Sequence, residues 1–262
     1  MDKKASFGFI AEKLGMVFTA PVVILLAWEA LSYFRVINAV YFPAPCVILR
    51  RFVHLLLQDP AFTQNVLFSL KRLALGALIA VPLALVLGLA VGLSRGFSRF
   101  FMPLISLTYP LPKLSILPLL MILLGIGDVS KIAIIAIGIF YFVLLGIIHG
   151  IRGLPRVYDD LAQVYRIPLS KKISSIVLIG ILPDILHGCK LGIAYGLVMV
   201  VAGEFIAARN GIGFFMWNAW DQFRIIDVYV GLVVFSLLGL AVFAFFDGIL
   251  LRMKWRGKER PW

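Results

Sequence analysis

Acidic side chains, cysteine and histidine are all scarce in this chain. Only 13 Asp plus Glu stand against 25 Lys plus Arg, and charged residues of both signs make up 15% of 262 positions. A soluble domain carries about 25% charged residues, so the means to cover a water-facing surface are lacking and a soluble fold is excluded. Two cysteines, Cys46 and Cys189, are too few for a disulfide framework or a zinc cluster. Each reads as a small apolar packing residue. The three histidines, His54, His149 and His187, fall in different segments without ligand spacing, so no metal site is expected. The Gly257-Lys258 pair is followed by Glu259, which leaves no phosphate-cradling loop and implies that the chain itself binds no nucleotide. Gly92-Leu93-Ser94-Arg95-Gly96 does match a Gly-x-Ser-x-Gly nucleophile pattern, but that pattern has meaning on a strand-to-helix turn. Here it reads as a helix end.

What is present is apolar: 62% of the residues are hydrophobic. A helix rising about 1.5 Å per residue needs about 20 mostly apolar residues to cross hydrocarbon. Six runs meet that length, at 14–34, 66–93, 101–126, 130–150, 186–208 and 228–250. The fold expected is an all-α integral membrane protein, one transmembrane domain over 1–262. Lys3, Lys4 and Lys13 precede the first run, which is longer than a signal-peptide core and reads as an uncleaved anchor. An even number of spans puts both termini on one side. With that side cytoplasmic, 16 of the 25 basic residues lie inside, including Arg95, Arg99, Arg152, Arg156, Lys190 and those of the two ends. The net charge of +12 is then a topology signal and not a nucleic-acid footprint. Val47, Ile48, Phe52, Leu55 and Leu56 share one face of a helix over 44–58, as in an interfacial amphipathic segment.

The sizeable cytoplasmic segment is 151–185, too short for a catalytic domain and long enough for a docking element. In the fifth run, Gly188, Gly192 and Gly196 recur every four residues, with Gly203 one heptad after Gly196. Gly88 with Gly92, and Gly146 with Gly150, repeat the spacing. Small residues so spaced let helix backbones approach in lipid. The third run contains Tyr109-Pro110-Leu111-Pro112-Lys113-Leu114-Ser115-Ile116-Leu117-Pro118, three prolines and a lysine at membrane depth. Proline removes a backbone donor, and broken backbone there is tolerated where it is buried in protein or lines a watered cavity. A lysine at that depth calls for a cavity or a partner. Tyr109, Lys113 and Ser115, with the intramembrane Glu204, are therefore candidates to line a path suited to an anion. The alternative is that Lys113 pairs with Glu29 or Glu204, or snorkels to one face.

Taken in order, further stretches resemble the permease subunit of ABC importers of the nitrate/sulfonate/taurine/bicarbonate type. They are Phe42-Pro43-Ala44-Pro45, Ser69-Leu70-Lys71-Arg72, Gly92-Leu93-Ser94-Arg95, Leu117-Pro118-Leu119, Gly125-Ile126-Gly127-Asp128, Ser130-Lys131-Ile132, Leu182-Pro183, Glu204 and Gly211-Ile212-Gly213. The resemblance covers nearly the whole chain. It implies a type I importer-like fold in a prokaryotic inner membrane, pairing with a second permease copy. It also implies two cytoplasmic ATPase subunits that hold ATP and Mg, and a solute-binding protein outside.

The family's coupling signature is a Glu-Ala-Ala, a glycine some residues on, and a later Leu-Pro. Counting back from Leu182-Pro183, the triplet falls on Asp160-Leu161-Ala162 and the glycine position on Arg166. Asp, Leu and Arg replace Glu, Ala and Gly. Two coupling helices are expected, at 157–166 and 169–178, with Tyr158, Asp159, Asp160, Leu161, Ala162, Tyr165, Arg166 and Pro168 at the ATPase. Asp159 and Asp160 suit the first helix's dipole, Lys171 and Lys172 stay solvated, and Pro168 breaks the helix in place of glycine by disfavouring the α region at Ile167. The chain is thus expected to be the non-catalytic channel of an ATP-driven importer. The rival is an ion-gradient-coupled secondary carrier, which would need intramembrane carboxylates such as Glu29 and Glu204 and an internal repeat, and no repeat between the halves is evident.

Overall fold

A computed structural model describes residues 19–254. Lys3, Lys4, Lys13, residues 14–18 of the first expected span and the basic tail from Arg256 lie outside the described residues. Every regular element among the described residues is helical. They are α1 (Thr19–Tyr33), α2 (Pro45–Gln58), α3 (Pro60–Leu93), α4 (Arg95–Thr108), a 3₁₀ turn (Lys113–Ile116), α5 (Leu117–Leu124), α6 (Asp128–Arg152), α7 (Val157–Val164), α8 (Leu169–Lys172), a π turn (Ile173–Val177), α9 (Leu178–Gly180), α10 (Leu182–Ala207), α11 (Ile212–Asp221) and α12 (Ile225–Lys254).

Four helices, α3, α6, α10 and α12, are long and apolar enough to cross a membrane. The expected third span is not one straight helix. α4 and the 3₁₀–α5 stretch together pass the same test but meet at 93° across 109–112, where Pro110 and Pro112 withhold two backbone donors. α1, at about 22 Å, falls short of the hydrocarbon thickness within the described residues.

The chain divides into two compact units. The first comprises residues up to 63 and 215–233. Here Ala44 stands at the N-cap of α2 and its side chain caps nothing, with Pro45 following where a helix needs no amide. The missing acceptor comes from α1: Glu29 Oε2 takes the Cys46 amide at 2.9 Å. A carboxylate at a helix start is favoured by the dipole as well as the open N–H groups. Ser32 Oγ donates to Phe42 O (3.1 Å) and Tyr229 OH to Tyr41 O (3.0 Å), tying down the intervening loop. The buried stripe of α2 is narrower than the pattern predicted. Ile48 and Leu55 are buried and Phe52 half-buried, while Val47 and Leu56 are exposed.

The second unit, residues 64–214 and from 234 on, is built around α6. Ile134, Ile139, Val143, Leu144 and Ile147 of α6 are completely buried. A Cβ at Gly76, Gly88 or Gly92 of α3 would fall 2.6, 2.8 and 2.5 Å from Ile135, Ile147 and Ile151 respectively. The constant offset means that α3 and α6 run parallel. On the other side α10 runs antiparallel: Gly188 abuts Phe142 and Val143, Gly192 and Gly196 abut Ile139, and Gly203 approaches Lys131 and Ile134. Added Cβ atoms at Gly188 and Gly192 would meet α6 backbone at 3.0–3.1 Å, so these glycines set the interhelical distance. Ser94, the serine of the nucleophile-like pattern, is the N-cap of α4 and accepts the Phe97 amide at 3.4 Å. Lys190 and Asp247 pair at 2.6 Å between α10 and α12.

Candidate functional site

The segment after α6 forms a hairpin of two helical arms. Asp159 and Asp160 sit in the first turn of α7, where the dipole favours them. α7 ends in a Schellman motif: the Arg166 amide donates to Gln163 O (3.0 Å) and the Ile167 amide to Ala162 O (2.9 Å). Arg166 itself has φ +49°. The left-handed position is therefore kept without glycine, and the helix is stopped by Arg166 before Pro168 acts. The expectation that Pro168 takes over the role is corrected accordingly; Pro168 instead caps the second arm in extended backbone, φ −63° and ψ 148°.

The second arm is not a plain α-helix over 169–178. One α turn (Leu169–Lys172) passes into a π turn (Ile173–Val177) before α9. Lys172 does not simply stay in solvent either: its Nζ lies 2.8 Å from Asp159 Oδ1 and braces the two arms. Ala162 is buried at the base. Tyr158, Leu161, Val164, Tyr165 and Leu169 are exposed, Leu161 at 44% and Tyr165 at 73%. A short hairpin that presents three aliphatic and two phenolic side chains to the outside has the composition of a contact surface.

Of the expected path residues, the structure brings Tyr109 and Lys113 together. Lys113 starts the 3₁₀ turn, is buried, and donates to Tyr109 O. Its ammonium lies 4.8 Å from the centroid of the Tyr109 ring and 4.7 Å from that of Tyr141, in cation–π contact with both. Tyr141 OH donates to Thr108 Oγ1 (2.8 Å), which fixes the second ring. Lys113 forms no ion pair among the described residues. Ser115 is exposed on the same turn. Tyr109 also lines an open cavity of about 490 Å³ with Phe142, His149, Arg152, Asp184 and His187.

Glu204 belongs to a different cluster. Its carboxylate is fully covered and accepts from Ser69 Oγ (2.9 Å), Arg72 Nη1 (2.6 Å) and the Gly213 amide (2.8 Å). Arg72, from α3, is the hub. Its Nε and Nη2 hold Asp128 Oδ1 at 3.0 and 2.6 Å, Nη1 reaches Asn210 O at 2.9 Å, and Nη2 also meets Asn210 Oδ1. Ser69 Oγ in turn accepts the Ile212 amide (2.8 Å), and Asn65 Oδ1 the Gly211 amide (2.8 Å). The Gly-Ile-Gly stretch is thereby explained: Gly211 has φ +112° and a Cβ there would collide with the Glu204 carboxylate. Lys131 is buried beside this cluster and donates to Gly127 O at 2.9 Å. Asn65, Ser69, Arg72 and Asn210 escaped sequence reasoning as site residues. The signals were Arg72 beside Lys71 at the start of an apolar run, since a guanidinium placed there needs a partner, and the Ser69–Arg72 stretch of the resemblance. Among the described residues, no group of three or more His, Cys, Asp or Glu is placed to hold a metal ion.

The model of the family described as "Binding-protein-dependent transport system inner membrane component" matches residues 80–255, well over half of the chain. The taurine transport system permease protein TauC of Escherichia coli (strain K12) is 31% identical over 247 residues, covering 92% of this chain and 86% of that protein. A protein of Bacillus subtilis (strain 168) named for aliphatic sulfonates transport as the permease SsuC is 28% identical over 237 residues, covering 90% of this chain and 86% of its own. A probable ABC transporter permease protein of Haemophilus influenzae is 24% identical over 234 residues, covering 89% and 94%. Long apolar helices packed through glycine and a match running through α6, the hairpin and α10 thus coincide, and the chain belongs to the binding-protein-dependent inner membrane components, the multi-pass permeases of ABC transporters.

Proposed function

We propose that this chain is the channel subunit of an ATP-driven importer for sulfonates of the taurine and alkanesulfonate class. In this reading it crosses the membrane six times with both termini cytoplasmic, counting α1 and the bent α4–α5 pair as spans. It pairs with a second permease copy and receives solute from an extracytoplasmic binding protein. ATP and Mg reside on two cytoplasmic ATPase subunits, and this chain contributes no catalytic residue. The ATPases engage the hairpin through Tyr158, Leu161 and Tyr165, with Asp160 flanking, and the Lys172–Asp159 pair makes the two arms move as one body. Closure of the ATPases draws the hairpins of the two copies together and switches the path from inward- to outward-facing. Tyr109 and Lys113 sit on the bend of the third span, where a side chain can meet solute as the path opens.

The observation that carries the reading is the exposed, braced apolar tip of the hairpin in a chain of this family. The substrate class rests on the names of TauC and SsuC. Replacing Asp160 and Leu161 by arginine is expected to abolish co-purification with the ATPase and ATP-dependent uptake of taurine while leaving the chain in the membrane. Unchanged co-purification would refute the docking assignment. Uptake that follows an ion gradient and ignores vanadate would instead support a secondary carrier.

A further inference from the structure

In the first unit, α2 and the start of α12 flank an open cleft of about 740 Å³. Its charged lining is lopsided. Arg50, Arg51, His54 and Arg224 face it with a single carboxylate, Asp227. That carboxylate is spent and covered. Asp227 Oδ1 accepts from Arg51 Nε (2.7 Å), and Oδ2 from Arg51 Nη2 (3.2 Å) and Arg224 Nη1 (2.6 Å), while its side chain is only 4% exposed. The two guanidiniums stay 38% and 40% exposed above it. Arg224 is further splayed by Gln222 Oε1 (3.1 Å) and Asn218 Oδ1 (3.0 Å), which fix its plane. Arg50 and His54, one helical turn apart, have no hydrogen-bond or ion-pair partner among the described residues. Arg51 Nη1 is likewise unengaged. The remaining walls are apolar, from Val40, Val47, Ile225 and Ile226.

We propose that this cleft binds an amphiphilic oxyanion, a sulfonate or phosphodiester group carried on an apolar body. Three guanidiniums over one buried carboxylate leave two net positive charges facing the cleft, histidine aside. Planar guanidinium forks match a tetrahedral oxyanion in geometry as well as sign, and the aliphatic walls accept the body. Two sources carry this chemistry: an anionic phospholipid headgroup at the membrane surface, where α2 is read to lie, and a soluble alkanesulfonate. Binding here does not depend on how the hairpin engages an ATPase, so failure of one leaves the other standing.

The test uses the full chain in phosphatidylcholine nanodiscs. One arm titrates phosphatidylglycerol into the disc and counts the lipid retained by native mass spectrometry. The other titrates 1-butanesulfonate by calorimetry. The variant R50Q/H54Q removes the two unpartnered groups and leaves the Arg51–Asp227–Arg224 bridge intact; R95Q/R99Q removes two exposed cations elsewhere. We expect R50Q/H54Q to weaken binding about tenfold in at least one arm, with R95Q/R99Q unchanged. Loss confined to the lipid arm assigns a headgroup site, and loss confined to the sulfonate arm a solute site. Equal binding by R50Q/H54Q and the parent chain in both arms, or an equal loss in R95Q/R99Q, overturns the cleft.

Discussion

At the scale of single residues, three side chains do what glycine usually does. Arg35, Arg166 and Phe223 have φ of +56°, +49° and +57°, and each closes a helix with the same pair of backward amide bonds. After Arg35 the Val36 amide reaches Leu31 O (3.0 Å), and after Phe223 the Arg224 amide reaches Ala219 O (2.7 Å). Left-handed backbone costs a side-chain-bearing residue about 1 kcal/mol. Arg166→Gly should therefore tighten the hairpin, and exchange of the Ile167 amide should slow roughly three- to fivefold by hydrogen-exchange mass spectrometry; faster exchange would refute the strain. A second residue-scale effect concerns Cys46. The Glu29 carboxylate that caps α2 also pushes the Cys46 thiol above its ordinary value, because it accepts a hydrogen bond from the protonated thiol and its charge disfavours a thiolate beside it. A raised thiol pKa means less thiolate at any given pH. Maleimide labelling of Cys46 should rise only at higher pH than for a free thiol, and Glu29→Gln should move the profile back down. Identical pH profiles for the two proteins would disprove the coupling.

Among elements, α6 is the member against which the others are measured. Its contact with α3 is read from one offset repeated at Gly76, Gly88 and Gly92, and its contact with α10 from glycine opposite backbone. Next to its start, Arg72 joins α3, the beginning of α6, the end of α10 and the turn at Asn210 ahead of α11 through Asp128, Glu204 and Asn210. Breaking a buried ion pair by removing one partner costs about 3–5 kcal/mol, whereas removing both leaves no orphan charge. Glu204→Gln is expected to fall in that range by denaturant titration in detergent. Adding Arg72→Met should cost less than the sum of the two single variants, since residues of one network are not additive. Strict additivity would mean that the two charges do not depend on each other. The fifth-run glycine stripe was legible in the sequence because a four-residue period is local. The partner it packs on was not, because nothing in 186–208 names α6.

For the whole molecule, the proposed sidedness of the helices is open to direct measurement. If both termini are cytoplasmic, the hairpin tip and the loop ahead of α2 lie on opposite faces. In a Cys46→Ala, Cys189→Ala background, Tyr165→Cys should react with a membrane-impermeant maleimide only in inverted vesicles, and Val40→Cys only in intact spheroplasts. Both positions are exposed, at 73% and 65%, so lack of access would not explain the pattern. Labelling of both from the same side would rule out the proposed topology.

Composition and order alone determined that this chain is made of long apolar helices, with one sizeable connecting segment before Leu182-Pro183. Hydropathy, run length and motif spacing are properties of neighbouring residues and survive without any knowledge of packing. Only the tertiary structure decided what becomes of the charges. Glu204 was read as a candidate path residue, yet its carboxylate meets Arg72 from 132 positions away, and Asp128 meets the same guanidinium across 56. Such pairing is set where helices close on one another, and the cost of leaving a charge unpaired in an apolar interior selects the partner. The same holds for Arg166: the sequence marks a missing glycine, and only the folded hairpin has the left-handed turn there regardless, because two amide bonds and the packed Ala162 hold it.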